Sequence, residues 1–371
     1  MPHRTQFLMI GGFLGAGKTT AIALLAKKLQ AAGKRVGVVT NDQAFNLVDT
    51  HALRAQGLEV DEVPGACFCC KFDELLETIT NLGDRAKPDV ILTEPVGSCT
   101  DLVATVIEPL RNMYGEEYEV GKLAVLCKPE HGMKILAGER RVGGGGFSPQ
   151  AEYIFLKQLE EADIVVVNKV DKLRRTDADR LAELVHERFP NKQVLLASGK
   201  RGDGVDELLE ALVEPRSATT SYIEVDYDQY AAGEAELAWL NAYVEATAAS
   251  DFALDDLVQG CVRRIADNLS QANYEPAHLK VLGYVDGGTS IANLVATGSP
   301  AELSVSSRQH TNQATLIVNA RVAGEPQVLA AIVDEALDEI GTATAVTLRV
   351  TAHQHFSPAR PAPTHRFTPG C

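Results

Sequence analysis

Short apolar runs recur through the N-terminal part of the chain, at residues 6–10, 35–40, 89–93, 123–127, 164–167 and 194–197. Runs of this length without polar alternation are expected of strands buried on both faces of a sheet. Segments with apolar residues at helical spacing separate most of them, the clearest at 20–30, 74–81, 151–159, 177–188 and 205–212. This alternation predicts one α/β domain over residues 5–215 with a mainly parallel sheet.

The pattern changes after Glu214-Pro215-Arg216-Ser217-Ala218. An alternating stretch through Thr220, Tyr222, Glu224 and Asp226 leads to predicted helices at 235–244 and about 255–270 and a strand at 279–285. A strand at 314–322, a helix at 327–340 and a strand at 343–350 follow. Together they predict a smaller α+β domain over 216–355, compatible with a ferredoxin-like β-α-β-β-α-β sandwich. Prolines dominate the last stretch, so 356–371 reads as a weakly ordered tail. Between the fourth and fifth strands, 132–149 contains four consecutive glycines and reads as a loop without one rigid conformation.

Composition narrows the class. With 371 residues, 45% hydrophobic and 23% charged, the chain has the make-up of a globular protein of about two domains. Fifty acidic against 35 basic residues give a net charge of −15, which argues against broad nucleic-acid binding. No apolar run is long enough to span a bilayer, and Met1-Pro2-His3-Arg4 leads straight into a strand-like segment, so a cytoplasmic location is expected.

The strongest chemical signal is Gly12-Phe13-Leu14-Gly15-Ala16-Gly17-Lys18-Thr19, which fits G-x-x-x-x-G-K-[ST] between a predicted strand and a predicted helix. In such a loop the N–H groups of Gly12, Gly15, Ala16, Gly17 and Thr20 converge on phosphate oxygens. Lys18 supplies positive charge near the β- and γ-phosphates, and Thr19 can ligate magnesium. Base choice is read from Asn168-Lys169-Val170-Asp171, after the fifth strand. Asp171 would accept from the guanine N1–H and amino group, a donor pair adenine lacks, while Asn168 reads the oxygen side and steadies the loop. GTP is therefore favoured over ATP. Ser198-Gly199-Lys200 is placed to add a base or sugar contact. Glu94 in Thr93-Glu94-Pro95-Val96-Gly97 stands at a strand tip, where it can hold magnesium through water or orient the attacking water, and Gly97 can approach the γ-phosphate. Asp42 and Asp49, beyond the second strand, are further candidate magnesium-sensing acids.

Three of the seven cysteines fall within four positions, in Cys67-Phe68-Cys69-Cys70 ahead of a predicted helix. That spacing suits soft-metal chemistry rather than a disulfide framework. Thiolates near a helix start are stabilised by its N–H groups. Zn²⁺ suits such a site, and Co²⁺ or nickel can occupy a mixed thiolate site, although three sulfurs leave the coordination shell to be finished by another group. Cys99, Cys127 and Cys261 stand isolated in sequence, the last two reading as core residues. His353 and His355 would share one side of a strand, enough for part of a metal site.

Taken together, these motifs resemble the CobW-like branch of the metal-chaperone P-loop GTPases, related to the urease and hydrogenase metal-insertion GTPases. The segment 10–20 is similar to that branch's phosphate loop, Cys67 to Cys70 to its C-x-C-C metal motif, Glu94 to Gly97 to its E-x-x-G element, and Asn168 to Asp171 to its guanine motif. The resemblance implies a slow GTPase with GTP and Mg²⁺ as cofactors, Lys18 and Glu94 as catalytic groups, and a divalent metal moved or released at Cys67, Cys69 and Cys70. It also implies a client metalloprotein or cofactor enzyme, with the second domain as a client-recognition or homodimer surface. The chain departs from the family pattern at Asn41-Asp42-Gln43-Ala44, in the strand ending Cys127-Lys128-Pro129, and in lacking a histidine-dense tract. A GTP-dependent scaffold that reactivates a metalloenzyme without carrying metal, and a P-loop kinase or ATPase, are the alternatives.

Overall fold

The computed structural model describes residues 4–42, 48–54, 56–138, 148–217, 222–294 and 300–368. Contacts divide the chain into two units, one holding the residues up to Tyr230 together with those from Pro361 onward, the other running from Ala231 to Arg360.

The first unit is built on eight strands: β1 (Thr5–Gly12), β2 (Val36–Asp42), β3 (Glu59–Pro64), β4 (Val90–Glu94), β5 (Tyr118–Val120), β6 (Ala124–Cys127), β7 (Ile164–Val167) and β8 (Gln193–Leu196). Their order is β3-β2-β4-β1-β6-β7-β8, with β5 also pairing β1, and every pairing is parallel. The central strands β4, β6 and β7 are buried at every position, as their unbroken apolar runs predict. On one face Leu8, Ile10, Leu92 and Val166 meet Ile22 and Leu25 of helix Lys18–Ala31 and Leu208 and Leu212 of helix Val205–Val213. Each such side chain contributes about 1.5–3 kcal/mol by leaving water. Sheet neighbours lie on both sides of β1, so the loops leaving the carboxyl ends of β1, β2, β4 and β7 gather along one edge of the sheet, where ligands of open α/β folds bind.

The second unit holds β9 (Leu237–Ala253), β10 (Pro276–Val285), β11 (Gly288–Leu294), β12 (Glu302–Val305), β13 (His310–Ala323) and β14 (Thr347–Phe356) in one antiparallel sheet, ordered β12-β11-β10-β13-β9-β14. Helices Leu254–Gln271 and Pro326–Thr344 follow β9 and β13 and contribute to the same apolar core. Without β11 and β12 the chain order is β-α-β-β-α-β and the sheet order β10-β13-β9-β14, the ferredoxin-like arrangement.

Three expectations are corrected. Residues 235–244 are not a helix, since β9 begins at Leu237 and pairs along both edges. Ala238, Leu240, Ala242, Val244 and Ala246 alternate into the core, but Leu237 and Trp239 on the other face are buried too, which hides the period of two. Residues 343–350 divide between the end of a helix and the start of β14, with Ala345 in the left-handed region between them. Of the glycine-rich 132–149 segment, the start belongs to helix Pro129–Leu136 and 139–147 lie outside the described residues.

The contact boundary also lies later than residue 215, because the hydroxyls of Tyr227 and Tyr230 hydrogen-bond into the first unit, at Asp101 Oδ2 (2.8 Å) and Thr100 N (3.3 Å). Past Phe356 the tail has neither helix nor strand, yet from Pro361 it is held on the first unit by specific hydrogen bonds. Among the described residues no helix is long and apolar enough to cross a membrane.

Ile265 is fully buried in the core of the second unit. Ile265→Ala is expected to lower stability by about 2–5 kcal/mol, read from urea denaturation of the full chain.

Candidate functional site

The loop after β1 is shaped by glycine. At Gly12 φ is +133° and a Cβ would stand 2.6 Å from the carbonyl oxygen of Leu126, so no larger residue fits. Gly17, at φ +94°, opens helix Lys18–Ala31, and a Cβ there would stand 2.7 Å from Asn168 Nδ2. Among the described residues no side chain caps this helix, which leaves its first N–H groups oriented for an anion. Lys18 is buried and donates to Gly12 O at 3.0 Å, curling over the loop. Thr19 Oγ1 donates to Glu94 Oε1 at 3.0 Å, which brings two of the candidate magnesium groups together, and Thr20 is exposed.

The segment after β7 packs directly on this loop. Asn168, 2% exposed, donates from Nδ2 to Ala16 O (2.8 Å) and accepts from Gly199 N at Oδ1 (3.1 Å), so one amide braces the turns that follow β1 and β8. Lys169 is left-handed at φ +61° and donates to Gly15 O at 2.7 Å. Asp171 Oδ1 accepts from Ser198 Oγ at 2.6 Å, while Lys200 points to the surface. The structure therefore brings Gly12 to Thr19, Glu94, Gly97, Asn168 to Asp171 and Ser198-Gly199 to one edge. Asp42 closes β2 and Asp49 lies in helix Val48–Arg54, but their side chains lie outside the described part of the structure.

Beyond β3, Gly65 turns the chain at φ +87° and Cys67 O accepts from Cys70 N (3.0 Å) and Lys71 N (3.1 Å), a single tight turn before helix Phe72–Ala86. The turn gathers its thiols, with Cys67 Sγ 2.8 Å from Cys69 and 3.2 Å from Cys70, and Cys69 and Cys70 3.7 Å apart. All three sulfurs lie within 4.8 Å of one another. Tetrahedral Zn–S bonds of about 2.3 Å place sulfurs about 3.8 Å apart, so small side-chain movements admit an ion. The turn is pinned by Asn41 at the end of β2, which donates to Val63 O and Ala66 O, both at 2.7 Å, and accepts from Phe68 N at 2.8 Å.

Hydrogen bonds with Cys69, Cys70 and Cys99 hold the Cys67 thiol well below its usual pKa. The hydrogen bond with Cys67 is in turn the main reason Cys70 is pushed up to about 11. Metal binding would displace the remaining protons.

Two parts of this site escape motif spacing. Cys99 is isolated in sequence, yet it is fully buried and is among the groups that lower the Cys67 thiol. The other is the C-terminal tail. Thr364 N donates to Cys69 O (2.9 Å), Thr364 Oγ1 to Cys70 O (3.2 Å) and Ala362 N to Cys70 Sγ (3.2 Å). Beside them His365 packs edge-on to Phe72, and Arg366 pairs with buried Asp101 at 2.7 Å. His353 and His355 lie on β14 in the second unit, their rings 4.9 Å apart, and do not join the thiols.

Residues 6–196 match the family described as CobW/HypB/UreG, nucleotide-binding domain, and the chain belongs to that family. It is 28% identical over 222 residues to the zinc chaperone CobW of a Sinorhizobium species, covering 55% of this chain and 61% of that protein. It is 28% identical over 208 residues to the zinc chaperone YeiR of Escherichia coli K12, covering 54% of this chain and 57% of that protein. The chain thus spans less than two thirds of the length of these relatives. A crystal structure of HypB from Helicobacter pylori in complex with nickel is similar over 58% of this chain and 92% of its own, at 18% identity and a TM-score of 0.41.

Glu161 shapes the segment behind Cys99, accepting from Thr100 Oγ1 (3.1 Å) and Val103 N (3.2 Å). Full burial, with the Asp101 charge adding to it, raises its pKa from 4.5 to about 8. The folded protein therefore keeps a proton that the unfolded chain releases, and this contribution to stability is lost as pH rises through about 8. Denaturation midpoints across about pH 5 to 9 are expected to fall more steeply for the wild type than for Glu161→Gln, which stays neutral.

Proposed function

We propose that this protein is a GTP-binding and GTP-hydrolysing metallochaperone or metalloenzyme maturation factor, in which nucleotide state governs delivery of a divalent metal to a client metalloprotein. The observation that carries the reading is the placement of the thiols. Cys67, Cys69 and Cys70 hang from Asn41 at the end of β2, next to the candidate acid Asp42, on the sheet edge where the phosphate-loop motif and Glu94 also lie. Family membership supports the same assignment.

In this reading the N–H groups from Gly12 to Thr20 cradle the phosphates. Lys18 leaves Gly12 O to meet the β- and γ-oxygens. The Thr19 hydroxyl and Glu94 would hold Mg²⁺, which supplies charge neutralisation on the phosphates, with Asp42 and Asp49 as further acids on that side. Glu94 also stands where it can orient water, and Gly97 can reach the γ-phosphate through its N–H. Asp171 takes the guanine donors while Asn168 and Lys169 keep the base loop seated on the phosphate loop, with Ser198, Gly199 and Lys200 beside them. The chemistry converts GTP and water to GDP and phosphate by positioning and charge stabilisation, and turnover is slow until a client completes the arrangement. Zn²⁺ or Co²⁺ is the cargo that three convergent thiolates suit.

Metal-free protein titrated with zinc, with and without GTP and magnesium, is expected to bind one equivalent with an affinity that changes with nucleotide and is lost in a Cys67→Ser, Cys69→Ser variant. Zinc binding absent in every nucleotide state would leave a GTP-switched scaffold, and a preference for ATP would point to a kinase or ATPase instead. Asp171→Asn tests the base assignment separately. It removes the acceptor for the guanine donors and is expected to weaken GTP by about 1.5–3 kcal/mol while improving binding of xanthosine triphosphate, whose C2 oxygen accepts from the new amide.

A further inference from the structure

After β14 the chain carries Pro358, Pro361 and Pro363. A proline-rich segment is already extended and loses little freedom when it docks, but it can donate hydrogen bonds only from its other residues. Here those residues face the cysteine turn. Ala362 N donates to Cys70 Sγ at 3.2 Å, Thr364 N to Cys69 O at 2.9 Å, and Thr364 Oγ1 to Cys70 O at 3.2 Å. From 361 to 367 more buried and more exposed residues alternate, with Pro361, Pro363, His365 and Phe367 inward, as expected of an extended chain laid along a surface.

The segment is anchored just beyond the turn. Arg366 Nε donates to Asp101 Oδ2 at 2.7 Å and its Nη2 to Ile223 O at 3.4 Å, while Phe367 N donates to Ala104 O at 2.9 Å. Asp101 is 1% exposed and also accepts from the Tyr227 hydroxyl at 2.8 Å, so the first unit presents a buried, positioned carboxylate to the arginine. A charge-assisted bond of this kind holds more strongly than the neutral bonds made by Ala362 and Thr364. The segment thus has a firmly held end and a lightly held end, and the lightly held end lies on the thiols.

We infer that residues 361–367 form a strap that closes over the cysteine turn and governs access to its thiols, an inference that rests on the metal-carrier reading above and names what regulates that site. A metal site needs an entry path as well as ligands. Cys67 and Cys69 are 3% and 1% exposed, so an arriving ion or a receiving ligand first meets half-buried Cys70, and the strap's Ala362 N–H sits on that sulfur. The strap lifts at Ala362 and Thr364 while Arg366 stays on Asp101, which breaks the three neutral hydrogen bonds to the turn and leaves the ion pair intact. It contributes no atom to the group of three sulfurs that could hold an ion. An N–H on a thiolate offsets part of its charge without taking a coordination position, so the strap covers the loaded turn as readily as the empty one. Its effect is on the rates of loading and release together, and only weakly on affinity.

The test uses the full chain, first reduced and metal-free with iodoacetamide as the probe and peptide masses locating the modified cysteine, then loaded with Zn²⁺ and challenged with a chelator. Ala362→Pro removes only the N–H on Cys70, at an exposed position between two prolines where the backbone is already extended. Arg366→Ala frees the firmly held end, and Ala362→Pro carries the test alone if that variant unfolds. Alkylation of Cys70 is expected to quicken about two- to tenfold in Ala362→Pro and at least about tenfold in Arg366→Ala, the factors that a neutral and a charge-assisted hydrogen bond are worth. The direction is diagnostic, because the lost N–H stabilises the Cys70 thiolate and its removal alone would slow the reaction. Zinc uptake and release are expected to quicken by the same factor, leaving affinity unchanged, while fully buried Cys127 and Cys261 stay unreacted as evidence of an intact fold. Unchanged Cys70 alkylation in both variants, or a fall in zinc affinity without faster alkylation, overturns the strap and leaves the metal-carrier reading intact. Absence of zinc binding by the wild type removes the metal-carrier reading, and the alkylation rates then decide the strap by themselves.

Discussion

The cysteine turn has no strand ladder and only one helical turn of its own, so its shape depends on a single buried amide. Asn41 is 6% exposed and uses its side-chain carbonyl and amide together, one accepting from Phe68 N and the other donating to Val63 O and Ala66 O. Without it two carbonyls and an N–H in a buried turn would lose their partners, a cost of about 1–3 kcal/mol for each group left unsatisfied. The thiols can converge because this amide fixes the backbone that carries them. Asn41 is also the penultimate residue of β2, and so ties that turn to the sheet edge from which the phosphate-type loop and Glu94 project.

A second amide does the corresponding work on the other half of the edge. Asn168 bridges Ala16 O and Gly199 N, and Lys169 reaches Gly15 O. A side chain chosen only to read a base would gain nothing from burial, whereas one that also braces the phosphate-type loop makes the two loops fold as one object. Buried polar networks rigidify when every member is satisfied. Both halves of the site thus rest on asparagines at strand ends, where a short side chain can reach backbone groups that no sheet or helix pairs.

The phosphate-type loop was legible because its motif, strand and helix are contiguous, and local chemistry alone shapes it. The parallel sheet followed from the spacing of apolar runs, as did the later elements of the second unit. The helix expected at 235–244 was not, because a strand buried on both faces carries no alternation, and alanines and leucines suit either structure. Cys99 was missed for a different reason. It follows β4 whereas Cys67 lies in a turn after β3, and β2 and β4 are neighbours in the sheet though not in the chain, a proximity that only the crossover topology creates. The tail was read from its prolines, which forbid a ladder but leave Ala362 and Thr364 with N–H groups free to meet the cysteine turn.

Tight binding and release conflict in a site made of one rigid element. Here the three thiols share one turn held by Asn41, while the tail that covers them is anchored separately, through Arg366 to Asp101. Cys67 and Cys69 are 3% and 1% exposed, while Cys70 is only half-buried and is the thiol the tail touches. The Cys70 side is therefore the more open side of the turn, and the tail lies across it. The tail's hold is a few hydrogen bonds and one ion pair with a carboxylate that is itself buried, whereas the turn beneath is braced by one amide that pairs three backbone groups at once.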